Sequence, residues 1–167
     1  DGDGNRYEKE VVFGTEFSFD PPASDAEDGM FVGWYTGTNG TGIKLTDVDG
    51  IGLKPWNSVA DVSIYPYYSN NALMFTLKED DTYQVVKGTD IALFNKMNVP
   101  ATYNGKKVST IGANGFSYCP KLEIINIPDS IEIIEFSTAF KSSGLIKEVN
   151  IYQTGTINDP RYYSFDG

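Results

Sequence analysis

The residues best suited to metal chemistry lie at the N-terminus. Asp1, Asp3 and Asn5 alternate as the first ligands of a calcium-binding loop do, because a hard cation prefers carboxylate and amide oxygens. Such a loop needs glycine at its sixth position and glutamate at its twelfth, where this chain has Arg6 and Val12. The sequence therefore favours a frayed acidic terminus over a calcium site, and we expect neither a metal nor a cofactor.

The chain lacks the groups on which most enzymes depend. It has no histidine and one cysteine, Cys119, so serine–histidine triads and thiol–histidine pairs are excluded. Its 23 acidic residues guarantee that some pair of carboxylates would suit glycoside hydrolysis, which leaves such a pair without specificity. We expect no enzymatic activity and interpret Cys119 as a packing residue.

Charge and hydropathy narrow the range of partners. A net charge of -10 repels phosphate backbones and anionic lipid headgroups. No window of the chain reaches the roughly 18 consecutive apolar residues of a membrane span. We expect no nucleic-acid partner and no membrane insertion, with a monomer favoured.

Several aromatic side chains have the chemistry to stack on a sugar ring. Trp34 lies in an apolar run, Met30 to Tyr35, and is expected to fill the core of a small domain. Trp56 follows Pro55 in a loop and is the predicted exposed aromatic, while the tyrosines of the later turns are still better candidates.

These residues must be positioned by two segments that meet near residue 70. The first is rich in Gly, Asp and Thr and predicts strands and loops, with apolar stretches at 10–13, 30–35 and 62–68. One short helix is possible between Asp20, a candidate N-cap, and Gly29. In the second segment, residues 73–86 alternate around Glu79-Asp80-Asp81 as a hairpin does.

The second half contains an internal repeat. A shift of 24 positions aligns Phe116 with Phe140, Leu122 with Ile146, Ile125 with Val149, Asn126 with Asn150, and Ile127 with Ile151. A partial copy ends at Asn98-Val99-Pro100, and the turn at 103–106 is an insertion after it. One strand and one turn per unit predict a short solenoid with Leu122, Ile125 and Ile127 pointing inward, although alternating strands of a sandwich are an alternative.

With its repeats aligned, the segment from Ile111 to Ile131 resembles the leucine-rich repeat of BspA-type bacterial surface proteins, I-G-x-x-A-F-x-x-C-x-x-L-x-x-I-x-I-P. Gly115, Ser143 and Tyr152 stand where that pattern has Ala, Cys and Pro. The resemblance implies repeats at about 91–152 after the hairpin at 73–86, with a tail at 153–167. Tyr162, Tyr163 and Phe165 in this tail are a candidate cap.

The first half resembles the Listeria-Bacteroides repeat, a β-grasp-like module, through its phrase Phe31-Val-Gly-Trp-Tyr35. The combined prediction is a mainly β protein with minor α: a β-grasp-like α+β module over 1–70, then a leucine-rich-repeat solenoid over 71–167. Both families consist of exported bacterial proteins, so the resemblance implies an extracellular, cell-surface location.

The function implied is adhesion to a host protein or glycan through the face of the repeats. Stacked repeats present their strand residues side by side, which gives a candidate binding face of Glu123, Ile124, Asn126, Lys147, Glu148 and Asn150. Two alternatives remain open: a structural spacer that displays other domains, and a carbohydrate-binding accessory module.

Overall fold

The computed structural model describes residues 8–22, 29–135 and 138–152. These residues form mainly strands, with little helix, and the chain packs as two compact units, 1–69 and 70–167. None of the helices within the described residues has the length and apolar character of a membrane span. Three predicted features lie wholly or partly outside those residues: the Asp1–Asn5 loop, the helix between Asp20 and Gly29, and the cap at 162–165.

Within its described residues, the first unit contains one antiparallel pair, β1 (Met30–Tyr35) and β2 (Tyr65–Ser69). Isolated bridges Ser18–Ile51, Tyr35–Lys44 and Thr46–Gly52 attach its loops. The apolar stretch at 10–13 is not a strand, which corrects the sequence-based expectation. There the Thr15 amide donates to the Val12 carbonyl, and Gly14 has a φ of +81°, so the chain turns instead of extending.

The conformation of Gly33 shows why the sequence Phe31-Val-Gly-Trp-Tyr35 needs a glycine at its centre. Its φ of +149° falls at a bulge, where the register of β1 against β2 shifts between Phe31 and Gly33. A Cβ at this position would lie 2.5 Å from the carbonyl oxygen of Thr46. Only glycine permits this close approach, which also lets the Trp34 amide donate to the Thr46 hydroxyl. The β-grasp assignment itself stays a prediction.

The second unit opens with an antiparallel hairpin of β3 (Leu73–Leu77) and β4 (Tyr83–Lys87), which confirms the predicted hairpin. A 3-10 helix at Thr89–Leu93 follows. Strand β5 (Lys96–Asn98) comes next, and then β6 (Thr102–Tyr103) pairs antiparallel with β7 (Lys106–Ile111).

The remaining strands are β8 (Ile124–Ile127), β9 (Ile133–Ile134) and β10 (Glu148–Ile151). They complete two parallel ladders, β5-β8-β10 and β4-β7-β9. Successive repeats thus contribute one strand to each ladder in turn, which favours the repeat interpretation over a sandwich. The closed solenoid stays a prediction.

The spacing between repeats follows from one inserted turn. Asn126 and Asn150 pair at an offset of 24 residues, whereas Asn98 and Asn126 pair at 28. The four extra residues correspond to the 103–106 insertion, which forms the β6–β7 hairpin. Asn104 and Gly105 both have positive φ, +47° and +69°, as a two-residue type I′ turn requires.

The core of the second unit takes side chains from both ladders. Leu122, Ile125 and Ile127 are fully buried, as predicted. Phe116 and Phe140, one repeat apart, stack with their ring centroids 6.1 Å apart. Equivalent side chains of neighbouring repeats therefore contact each other directly.

Candidate binding face

The ladder β5-β8-β10 presents two straight rows of side chains. Its register aligns Lys96 with Ile124 and Glu148, and Asn98 with Asn126 and Asn150. Because side chains alternate along a strand, these rows project away from the face that buries Met97 and Ile125. We call the outward side, made of these six rowed residues, the polar strand face.

The three asparagines of the polar strand face form a hydrogen-bonded ladder. The Asn126 side-chain amide donates to Asn98 Oδ1 at 2.6 Å, and that of Asn150 donates to Asn126 Oδ1 at 2.9 Å. Side chains held in this way lose little rotamer freedom when a partner binds. The ladder is therefore a preorganised row of amide groups across three strands.

Charged groups border this row. Lys147 Nζ lies 3.0 Å from Glu123 Oε2, and the Asn150 amide also donates to Glu148 Oε1 at 2.7 Å. The Glu123 carbonyl accepts from the backbone amides of both Lys147 and Glu148, which fixes the two residues beside it. Exposed ion pairs of this kind contribute little to folding stability, so these charges can be removed without loss of the fold.

Four of the six predicted face residues lie in the rows: Ile124, Asn126, Glu148 and Asn150. Glu123 and Lys147 lie one residue before the strands, at the border of the face. The structure adds Lys96 and Asn98, which the prediction missed. Lys96 and Asn98 align with the later repeats once the four inserted residues 103–106 are left out of the count. This insertion is visible in the sequence.

Trp56 is not an isolated exposed aromatic, which corrects the prediction. Its ring meets the Phe17 ring edge-on at 5.2 Å and is partly buried. Its backbone amide donates to the Thr15 carbonyl, and its carbonyl accepts from the Gly14 amide. These two bonds hold the loop against the preceding segment. Trp34 is also partly buried, and its indole N–H donates to the Phe19 carbonyl at 3.2 Å. Both tryptophans belong to one aromatic cluster.

Cys119 is buried, as the packing interpretation predicts. Burial raises the pKa of its thiol, so the nucleophilic thiolate is disfavoured. Its backbone amide donates to the Ser143 hydroxyl at 3.1 Å, and that hydroxyl donates to the Phe116 carbonyl at 2.7 Å. Within residues 8–22, 29–135 and 138–152, no group of three or more His, Cys, Asp or Glu side chains is placed to hold a metal ion.

No protein-family model matches the chain, and no curated protein matches it. Among solved structures, a Treponema pallidum leucine-rich repeat protein is 16% identical with a TM-score of 0.43, and the match covers 48% of this chain and 37% of that one. A leucine-rich repeat protein from Bacteroides capillosus is 20% identical with a TM-score of 0.42, covering 49% of this chain and 62% of its own. The chain thus spans less than two thirds of either protein.

Proposed function

We propose that this chain is a non-enzymatic segment of an exported bacterial cell-surface protein that binds a host extracellular protein through the polar strand face. The observation that carries the proposal is the pair of straight rows across β5, β8 and β10, with their amides already hydrogen-bonded in line. The BspA-type resemblance of the repeats and the Listeria-Bacteroides resemblance of the first unit support an extracellular site.

The dimensions of the face favour an extended partner segment. Three parallel strands about 4.8 Å apart span about 10 Å between the outer two. A standard interface buries about 800 Å² on each partner, which is more than six rowed side chains supply. An extended loop or peptide laid across the rows would meet an amide at each step, and the charged residues that border the rows, Glu123 and Lys147, would add contact area.

The side chains present in the chain support a non-enzymatic role. It contains no histidine, and its single thiol is buried and held in its neutral form. The charged groups at the face pair with one another, as Lys147 does with Glu123, and form no cluster around a nucleophile. Recognition needs only these amides and charges.

The test is biolayer interferometry of the 167-residue chain against fibronectin, fibrinogen and a glycan set, with and without calcium. The face variant is Lys147→Ala/Glu148→Ala. The matched control is Lys107→Ala/Glu132→Ala, which also removes one lysine and one glutamate, from an exposed pair joining β7 to the segment before β9. We expect saturable binding to one protein, reduced about tenfold or more in the face variant.

Both variants should melt within a few degrees of the parent, because they remove only exposed interactions. The face variant removes Lys147, which pairs with Glu123, and Glu148, which accepts from Asn150, whereas the control removes both members of the Lys107–Glu132 pair. Equal affinity of the face variant and the parent would remove this face from consideration. Silence of the parent chain across the whole panel would favour a structural spacer instead.

A further inference from the structure

The second unit carries a much smaller excess of negative charge than the first. Residues 1–69 contain four Lys or Arg against twelve Asp or Glu, whereas residues 70–167 contain nine against eleven. The acidic excess therefore belongs mainly to the first unit. Within the second unit, the turn segments 113–122 and 138–146 contain Lys121 and Lys141 and no acidic residue.

Three successive layers bring lysines to one edge of this unit. The backbone amide of Lys87, at the end of β4, donates to the Gly115 carbonyl, and that of Tyr118 donates to the Lys141 carbonyl. Lys121 follows Tyr118 in the middle layer. Among the described residues, no carboxylate lies within ion-pairing distance of Lys87, Lys121 or Lys141. These lysines and Tyr118 make up what we call the basic edge.

Tyr118 is held in an unusual conformation at the centre of the basic edge. Its φ of +51° is left-handed, which a bulky side chain rarely adopts, and its side chain is 63% exposed. The Lys87 ammonium lies 5.7 Å from the ring centroid and donates to Ser117 Oγ at 3.4 Å. Ser142, the equivalent position one repeat later, has a φ of +56°, so this backbone conformation belongs to the turn that the repeats share, and at Tyr118 it holds an exposed ring at the edge.

We propose that the basic edge binds an acidic polysaccharide, with the Tyr118 ring against the apolar face of one sugar and the lysines on the anionic groups of its neighbours. An exposed tyrosine offers a flat apolar surface with a polar rim, which fits a sugar ring. An acidic polysaccharide carries charge along its length, and the lysines lie in three successive layers of the edge. This site uses none of the six rowed residues of the polar strand face.

The probe is a short heparin oligosaccharide, titrated into the full chain by calorimetry. Its chemically desulfated counterpart and polyglutamate of equal charge serve as comparison ligands. The ring variant is Tyr118→Asn, because asparagine tolerates positive φ while removing the ring. The charge variant is Lys121→Gln/Lys141→Gln. Its matched control is Lys106→Gln/Lys107→Gln, which removes two lysines that pair with Asp81 and Glu132.

We expect the parent to bind the sulfated probe more tightly than either comparison ligand. The ring and charge variants should each weaken that binding about tenfold or more, and the control less than twofold. In a plot of log affinity against log salt concentration, the slope should become shallower by about one for each lysine removed from the edge. Tyr118→Asn should raise or preserve the urea midpoint, because it relieves strain.

Three results would overturn the proposal: no binding of the sulfated probe by the parent, equal weakening by the control variant, or full affinity in Tyr118→Asn. Binding of polyglutamate as tight as that of the sulfated probe would assign the edge to an acidic protein instead.

Discussion

Two serine-to-alanine substitutions in the repeats should differ in their effect on stability. Ser143 joins two repeats, since it accepts from the Cys119 amide and donates to the Phe116 carbonyl. Ser130 Oγ is buried and has no hydrogen-bond partner among the described residues. Both changes delete a hydroxyl, so the difference between their effects on the free energy of unfolding measures the contribution of the Ser143 hydrogen bonds.

The magnitudes follow from the number of groups left unsatisfied. Ser143→Ala leaves one donor and one acceptor without their partner in a buried site, at about 1–3 kcal/mol each, so we expect a loss of about 2–6 kcal/mol. Ser143→Cys introduces the residue typical of the resembled repeat, but a thiol bonds weakly, so its loss should be about 1 kcal/mol. Ser130→Ala removes an unsatisfied hydroxyl and should be neutral or gain up to about 1 kcal/mol.

The assay is urea unfolding followed by far-ultraviolet circular dichroism. With a slope of about 2 kcal/mol per molar, Ser143→Ala should lower the midpoint by about 1–3 M. Equal midpoints for Ser143→Ala and Ser130→Ala would refute the reasoning, because they would show that the bonds between repeats carry no net stability.

Two further predictions concern the first unit and the buried thiol. Gly33→Ala should destabilise the first unit by about 2–4 kcal/mol, because it adds strain at positive φ and a clash with Thr46, and the emission of Trp34 and Trp56 in urea should report it. A matched Gly14→Ala variant, also at positive φ but with open space around it, should lose less. For Cys119, burial raises the folded-state pKa above its ordinary 9.0, so its contribution to stability is complete below about pH 9 and is lost as pH rises through the folded pKa. Cys119→Ala should therefore flatten the decline of the urea midpoint above pH 9, and an unchanged slope would contradict the thiol's role.

Much of the second unit could be predicted from the sequence because repetition carries long-range information. The offset of 24 residues alone placed Asn126 beside Asn150 and turned Ile125 and Ile127 inward, and both are observed. The 103–106 insertion was recognised as an extra turn. The face predicted from the two later repeats has two strands, whereas the structure has three, because the four-residue insertion shifts Lys96 and Asn98 out of the 24-residue spacing.

The first unit shows why a sequence without repeats is harder to interpret. An apolar pattern does not distinguish a strand from a turn when a single backbone angle decides the outcome, and Gly14 turned the 10–13 stretch out of any sheet. Likewise, the neighbourhood of Trp56 is set by Phe17, 39 positions earlier, and no local pattern encodes that contact. The strain at Tyr118 was equally invisible, since tyrosine carries no propensity for positive φ.

The two proposed surfaces depend on the same stacking of repeats. The Asn98–Asn126–Asn150 ladder, the Phe116–Phe140 stack and the Ser143 bonds all join one layer to the next, so they set the spacing of both the rows and the lysines. In repeat proteins stability is a sum of such neighbour terms, and weakening one term separates adjacent layers. Ser143→Ala should therefore reduce ligand binding together with stability. Lys147→Ala/Glu148→Ala leaves the buried contacts between layers intact and should reduce partner binding without reducing stability. This difference between the two variants distinguishes residues that recognise a partner from residues that hold the repeats together.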